Sequence, residues 1–292
     1  RQILPIVTTF FLAFGALEDS GYLPRLAVMM NRLFRMFGLN GKAVLPMVLG
    51  LGCDTMATLT TRILDTRKER VLVTLLLALG VPCSAQLGVI LGMIRSLSLG
   101  ATLVWGGTVL ATLFVVGWAA ARLLPGDSSD FILELPPIRR PQLGNLVVKT
   151  LARIEWYLRE AVPLFLLGTL LLFLADRFGV LVFMERVSAP IIQGALGLPA
   201  AATEAFLIGF LRRDYGAAGL YDLSRAGLLD DVQLVVSMVV ITLFVPCVAN
   251  FFIMIKERGA KAALLMVAFI VPLAFLVGGA LNWGLHALGV TF

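Results

Sequence analysis

Four long apolar runs, Val71–Ile94, Leu99–Ala121, Val232–Ile255 and Ala262–Leu281, dictate what this chain can become. Each is close to the roughly 20 residues that carry a helix across about 30 Å of hydrocarbon. Lipid offers no partner to backbone N–H and C=O groups, so a segment crossing it must close its hydrogen bonds internally. The alternating ten-residue segments of a transmembrane barrel are absent, which leaves helices. Composition agrees: of 292 residues 59% are hydrophobic and 14% charged, where soluble domains carry about a quarter charged. The chain is read as an all-α polytopic membrane protein.

The net charge of +6 fits the surplus of short cytoplasmic loops and does not form a basic stripe interleaved with aromatics, so no nucleic-acid partner is expected. Three cysteines inside apolar runs do not make a secreted disulfide framework. The chain starts at Arg1 and its first apolar stretch, Ile3–Leu17, has fifteen residues; this reads as an internal fragment or processed product, not a signal peptide.

The chain repeats itself. Arg1-Gln-Ile-Leu-Pro5 returns as Arg159-Glu-Ala-Val-Pro163, and each opens an apolar run ending in acid, at Glu18-Asp19 and at Asp176. Amphipathic stretches follow, closing in Gly38-Leu39 and Gly197-Leu198. Gly52-Cys53-Asp54 then matches Arg212-Arg213-Asp214 in position, and Val81-Pro82-Cys83-Ser84-Ala85-Gln86 matches Val245-Pro246-Cys247-Val248-Ala249-Asn250. The expected organisation is a first repeat over 1–122, a polar linker with an amphipathic helix over 123–158, containing Leu135-Pro-Pro-Ile-Arg-Arg-Pro141, and a second repeat over 159–292.

Positive charge discriminates between topologies. If segments 43–62 and 201–221 are interrupted hairpins that enter and return, loops 19–42, 62–70, 122–160 and 256–261 share one face and hold 17 of the 24 Lys and Arg residues. Each repeat then makes three crossings, and the two copies are inverted, a plan whose sites sit at midplane on interrupted helices.

Several residues at expected membrane depth could carry chemistry. Asp54 follows Gly50-Leu-Gly-Cys53; burying its charge costs about 2.5–3.5 kcal/mol on the lenient insertion scale, so it is expected to have a partner, Arg62 being the local choice, or a role in ion passage. Cys83 and Cys247 each follow a proline, which removes a helix hydrogen bond and frees a carbonyl about one turn earlier, read here as Leu79 and Leu243. With Gln86 and Asn250 three residues on, a thiol, a carbonyl and an amide cluster twice. Thiolate and oxygen together suit Fe(II) or Zn(II) better than Mg(II) or Ca(II), although a buried cysteine is equally a small hydrophobe. Arg212, Arg213 and Asp214 read either as an ion pair within their segment or as a gate whose partners exchange. Glu18 and Asp19 are solvated carboxylates at a helix end or a cation-collecting vestibule.

Absent motifs narrow the function. There is no G-x-x-x-x-G-K-[ST] loop, no G-x-G-x-x-G after a strand and no H-E-x-x-H, and His286 is the single histidine. A multi-histidine metal site is excluded, and nothing in this chain would hydrolyse a nucleotide, so no catalytic or cofactor-binding residue is assigned.

Phe11-Leu-Ala-Phe-Gly-Ala-Leu-Glu-Asp-Ser-Gly-Tyr-Leu-Pro-Arg25, the stretch from Gly38-Leu-Asn-Gly-Lys42 to Gly50-Leu-Gly-Cys-Asp-Thr-Met-Ala57, Thr61-Arg62-Ile-Leu, Arg67–Arg70 and the two Pro-Cys elements resemble the ferrous iron transport protein B family over essentially the whole chain. The resemblance implies the membrane part of an Fe(II) importer of the bacterial inner membrane, built from two gate domains. It also implies a cytosolic GTPase domain, in cis or trans, with GTP and Mg bound only there; a small cytosolic accessory protein is a further candidate partner, and the sequence leaves monomer and homo-oligomer open. By analogy Cys53, Cys83 and Cys247 fall on that family's metal-path cysteines. Two departures stand out: the family's Gly-Cys-Asn-x-Pro is Gly-Cys-Asp-x-Met at 52–56, and its Lys-Glu is Arg213-Asp214.

The expectation is therefore a divalent-metal permease module, Fe(II) favoured, with Cys53, Cys83, Cys247 and Asp54 as metal ligands and Asp214, Arg213, Gln86, Asn250, Glu18 and Asp19 along the ion path or its gates. A nucleoside or other organic-solute carrier of the gate-domain type is the alternative, a non-transporting membrane scaffold a further one.

Overall fold

A computed structural model describes residues 3–95, 97–126, 142–179, 192–194, 196–199, 201–211, 213–244 and 246–287. Every element among them is helical: α1 (Ile3–Asp19), α2 (Tyr22–Arg35), α3 (Val44–Gly50), α4 (Asp54–Thr60), α5 (Arg67–Gly80), α6 (Ser84–Ile94), α7 (Leu99–Leu123), α8 (Leu143–Arg177), α9 (Ala201–Leu211), α10 (Arg213–Arg225), α11 (Asp231–Leu243), α12 (Val248–Arg258) and α13 (Ala260–Ala287). The linker motif 135–141, most of the second amphipathic stretch and Arg212 lie outside the described residues.

Among the described residues four helical stretches are long and apolar enough to cross a membrane: Arg67–Ile94, Leu99–Leu123, Asp231–Arg258 and Ala260–Ala287. They coincide with the four apolar runs. The chain is a multi-pass membrane protein. Two of the four, α5–α6 and α11–α12, are broken in the middle. Proline cannot donate, and it forces the preceding residue towards extended backbone. Accordingly α5 ends at Gly80, and Val81, just before Pro82, is extended (φ −92°, ψ 108°). Phe244 adopts the same extended region (φ −72°, ψ 171°) at the end of α11.

Burial arranges the spans. The broken pair is 61% and 65% buried, against 22% for each of α7 and α13. Every residue from Leu234 to Leu243 is buried, as is every one from Leu72 to Gly80. A helix apolar and buried all round is a central one. The broken helices therefore form the middle, with α7 and α13 outside them. One shared core, including Leu75, Leu79, Val109, Val239, Leu243 and Met266, joins both halves of the chain.

The short helices form hairpins, as the segments 43–62 and 201–221 were expected to. Lys42 and Asp65, at the two mouths of the first, are 2.6 Å apart in a salt bridge, so the segment returns to the end it left. In the second, α9 and α10 meet backbone to backbone. A Cβ on Gly216 would lie 2.4 Å from the Gly209 Cα, and one on Gly219 would lie 3.3 Å from the Ala205 Cβ. As one number rises the other falls, the mark of antiparallel helices.

The loops expected on one face do meet. Arg62 pairs with Glu257, Lys68 donates to the Gly126 carbonyl (2.8 Å), and Lys149 at the start of α8 pairs with Asp19 at the end of α1. At the opposite end Gln233 donates to the Gly197 carbonyl (2.8 Å). The amphipathic linker helix is continuous with the first helix of the second repeat: α8 runs unbroken from 143 to 177 across the expected boundary at 158–159.

Two predictions follow from the hairpins. Cysteines placed singly by Arg35→Cys and Arg67→Cys should react with an impermeant maleimide from the same side of sealed vesicles; labelling from opposite sides would show that 43–62 crosses. Gly216→Ala, whose methyl meets backbone that has nowhere to move, should lower stability in detergent by about 1–3 kcal/mol, read from denaturant unfolding.

Candidate functional site

Three of the described helices begin after a break with a cysteine at the N-cap: Cys53 before α4, Cys83 before α6 and Cys247 before α12. All three are extended and none caps its helix with a side-chain hydrogen bond, so the sulfurs stay available. Pro82 and Pro246 explain two of these positions, since proline suits the residue that ends one helix just before another starts. At Cys53 the glycines do so instead. The Phe10 ring fills the space over Gly52, where an added Cβ would come within 2.0 Å of it.

The breaks are stitched together. The Gly52 carbonyl, next to Cys53, accepts from both the backbone N–H (3.2 Å) and the hydroxyl (3.0 Å) of Ser84, next to Cys83. The Cys247 side chain lies against the Thr55 hydroxyl, and Cys53 and Cys83 are each within electrostatic reach of Cys247. The three cysteines, distant in sequence and each half-buried, therefore lie near one another at the breaks. They do not form a closed metal site: among the described residues no group of three His, Cys, Asp or Glu side chains could hold an ion.

At the centre is an ion pair. Arg213 Nη1 donates to Asp54 Oδ2 at 2.8 Å, the two side chains being 3% and 4% exposed. The guanidinium also donates to the carbonyls of Ala78 (2.6 Å), Val81 (3.2 Å) and Phe244 (3.3 Å). These are the carbonyls that the breaks set free. They replace the expected Leu79 and Leu243: the missing N–H is that of Pro82, not of Cys83, so the acceptor it frees is four residues before the proline, at Ala78, with Val81 free beyond the helix end. Asp54 Oδ1, also buried, has no partner.

The pairing corrects one further reading. Asp54 is not paired to Arg62, which reaches across to Glu257 instead. Arg213 pairs across the repeats with Asp54, and Asp214 stands half-buried beside it. Glu18 and Asp19 are not open carboxylates: Arg153 meets Glu18 at 2.5 Å and Lys149 meets Asp19, fastening α1 to α8.

Gln86 and Asn250, at matching positions, both reach into the other repeat. Gln86 Nε2 donates to the Ile241 carbonyl (2.9 Å), and Asn250 Oδ1 accepts from the Thr58 hydroxyl (2.9 Å). One amide atom of each, Gln86 Oε1 and Asn250 Nδ2, is buried and unpartnered. From Asn250 a polar seam between α4 and α12 continues through Thr58 and Thr61 to Arg258 and the Arg62–Glu257 pair. Sequence reasoning missed these threonines, Ser84 and Arg258. The threonine spacing, at 55 and 58 on α4 and at 61 just past its end, is the available signal for one polar helix face.

Comparison with known proteins gives the family of the chain. The family model described as "Gate: Nucleoside recognition" matches residues 1–97 and 158–261, and that described as "Ferrous iron transport protein B C terminus" matches residues 102–153. The chain belongs to the ferrous iron transport protein B family. It is similar to the Fe(2+) transporter FeoB of Staphylococcus aureus strain COL, 28% identical over 94% of this chain and 45% of that protein. It is likewise similar to the Fe(2+) transporter FeoB of Methanocaldococcus jannaschii, 27% identical over 94% of this chain and 46% of that protein. The Salmonella typhimurium strain LT2 Fe(2+) transporter FeoB is 30% identical over 54% of this chain and 21% of its own length. The chain thus spans about half the length of the first two of these curated relatives. No solved structure matches.

The Asp54–Arg213 pair should behave as a unit in a double-mutant cycle. Arg213→Met alone should cost about 3–5 kcal/mol by leaving a buried carboxylate uncompensated, and Asp54→Leu with Arg213→Met should recover most of that loss. Additive losses in unfolding of the detergent-solubilised protein would mean that the two do not interact.

Proposed function

We propose that this region is the permeation module through which Fe(II) crosses the bacterial inner membrane. The observation that carries the reading is the convergence of three cysteine N-caps on one buried ion pair at the breaks of both repeats. The family membership and the relatives' Fe(2+) transporter names support it. Thiol sulfur and carboxylate oxygen suit a borderline divalent ion. An ion in transit exchanges part of its hydration for these groups and for carbonyls freed at the breaks. Binding through successive partial contacts leaves it free to depart.

In this reading the two repeats are inverted. Support comes from cross-repeat packing that reads alike in both directions: α10 of the second repeat packs on α6 of the first, while α4 of the first packs on α12 of the second. Gln86 and Asn250 are likewise exchanged. The polar seam along α4 and α12 leads from the cysteines towards the face where the positively charged loops meet, the cytosolic one by the positive-inside rule. A GTPase domain elsewhere in the protein or on a separate chain, with an accessory protein and assembly into oligomers, would control that face.

The description of the gate family as nucleoside recognition favours one alternative, an organic-solute carrier in which Gln86 and Asn250 would read a base. Uptake by the full-length protein in proteoliposomes separates the two. Fe(II) should enter and uridine should not, and Cys83→Ser with Cys247→Ser should cut the Fe(II) rate by about tenfold or more, the loss expected when a metal-binding contact is removed. Unchanged Fe(II) uptake by the double variant would remove the thiols from the path, and uridine uptake without Fe(II) uptake would overturn the reading.

A further inference from the structure

The groups around the Arg213 guanidinium have the composition of a cation site. One carboxylate oxygen, from Asp54, and three carbonyl oxygens, from Ala78, Val81 and Phe244, lie within hydrogen-bond distance of it. They come from three separate places: the start of α4, the last turn of α5 with the break after it, and the break after α11. Carbonyls at the ends of broken helices together with a carboxylate are what hard and borderline cations take as ligands within membranes. A second carboxylate oxygen, Asp54 Oδ1, is at hand, buried and without a partner.

We propose that these oxygens form a divalent-cation site in their own right, and that Arg213 is its tethered occupant. Arg213 sits where a metal ion would, supplying the positive charge that lets Asp54 remain buried while the site holds no metal. This deepens the permease reading and rests on it in one respect, that the cation displacing Arg213 is the one transported. The thiols of Cys53, Cys83 and Cys247 border this oxygen cradle and are a separate set of donors.

The tether makes Arg213 a filter. A group held on the same chain competes at an effective concentration on the order of millimolar, without depletion. A monovalent ion brings the same charge as the guanidinium to the same four oxygens, without its fixed fork of donors, and does not displace it. A divalent ion brings twice the charge and can. Arg213 therefore sets selection by valence and closes the site to Na⁺ and K⁺. Lysine would do this less well, because its compact ammonium cannot reach oxygens from three segments at once.

Mn(II) binding to the full-length protein in detergent, followed by electron paramagnetic resonance and by thermal unfolding, tests the proposal. Removing a competitor that occupies the site most of the time tightens apparent affinity by the inverse of the free fraction. Arg213→Met should bind Mn(II) about tenfold or more tightly than wild type, and Mn(II) should raise its melting temperature far more than that of wild type. Adding Asp54→Asn to Arg213→Met should abolish both effects. If Arg213→Met does not yield folded protein without metal, recovery on expression with added Mn(II) supports the proposal, and failure to recover opposes it. Arg213→Lys, which keeps the charge, supplies a second reading and should bind with intermediate affinity. Mn(II) affinity unchanged in both Arg213→Met and Arg213→Lys, or gained equally when Asp54 is also replaced, overturns it. None of these readouts depends on transport, so absence of Fe(II) uptake by wild type would count against the permease reading alone.

Discussion

The Asp54–Arg213 ion pair is the constraint on which the rest of this fold turns. Two charges 3% and 4% exposed in the middle of an apolar bundle persist only when each compensates the other and their remaining hydrogen-bonding capacity is met. The protein meets it with backbone. Both broken spans end where their carbonyls can point at one guanidinium, and the prolines at 82 and 246 keep those carbonyls from being reclaimed by a continuing helix. Arg213 thereby ties the hairpin of one repeat to both breaks. Losing it would leave a buried carboxylate and several orphan carbonyls at once.

The same device explains why the cysteines are where they are. A helix that stops and restarts in the membrane needs a residue of extended backbone between its halves, small enough to fit between packed helices and without polar atoms that demand a partner. Cysteine satisfies those conditions and adds a soft donor. Placed at 53, 83 and 247, it puts sulfur at the three breaks that the ion pair holds together. Structure and chemistry are thus met by one choice of residue.

Much of this was legible in the sequence. Apolar length gave the four spans, charge placement gave the face on which loops 62–70, 122–160 and 256–261 gather, and internal repetition pointed to Cys83 with Cys247 and to Gln86 with Asn250. What stayed hidden was pairing. Asp54 and Arg213 are 159 residues apart, and local spacing offered Arg62 and Asp214 as nearer partners. Proximity in sequence misled because hairpins and breaks, unlike continuous helices, turn side chains towards other elements. The repeat alignment held the clue: at matching sites one copy carries Cys-Asp and the other Arg-Asp, an asymmetry that a shared central site can use. Glu18 and Asp19 were misread for a related reason, since their partners Lys149 and Arg153 belong to a helix whose placement the sequence does not reveal.

Solid-state nuclear magnetic resonance on the protein in lipid bilayers addresses the ion pair itself, through dipolar coupling between a ¹⁵N-labelled Arg213 guanidinium and the ¹³C-labelled carboxyl carbon of Asp54. A strong coupling, lost when residue 54 is replaced by leucine, is the result expected. Coupling of Arg213 to Asp214 instead, or a guanidinium exchanging freely with water, would contradict the account.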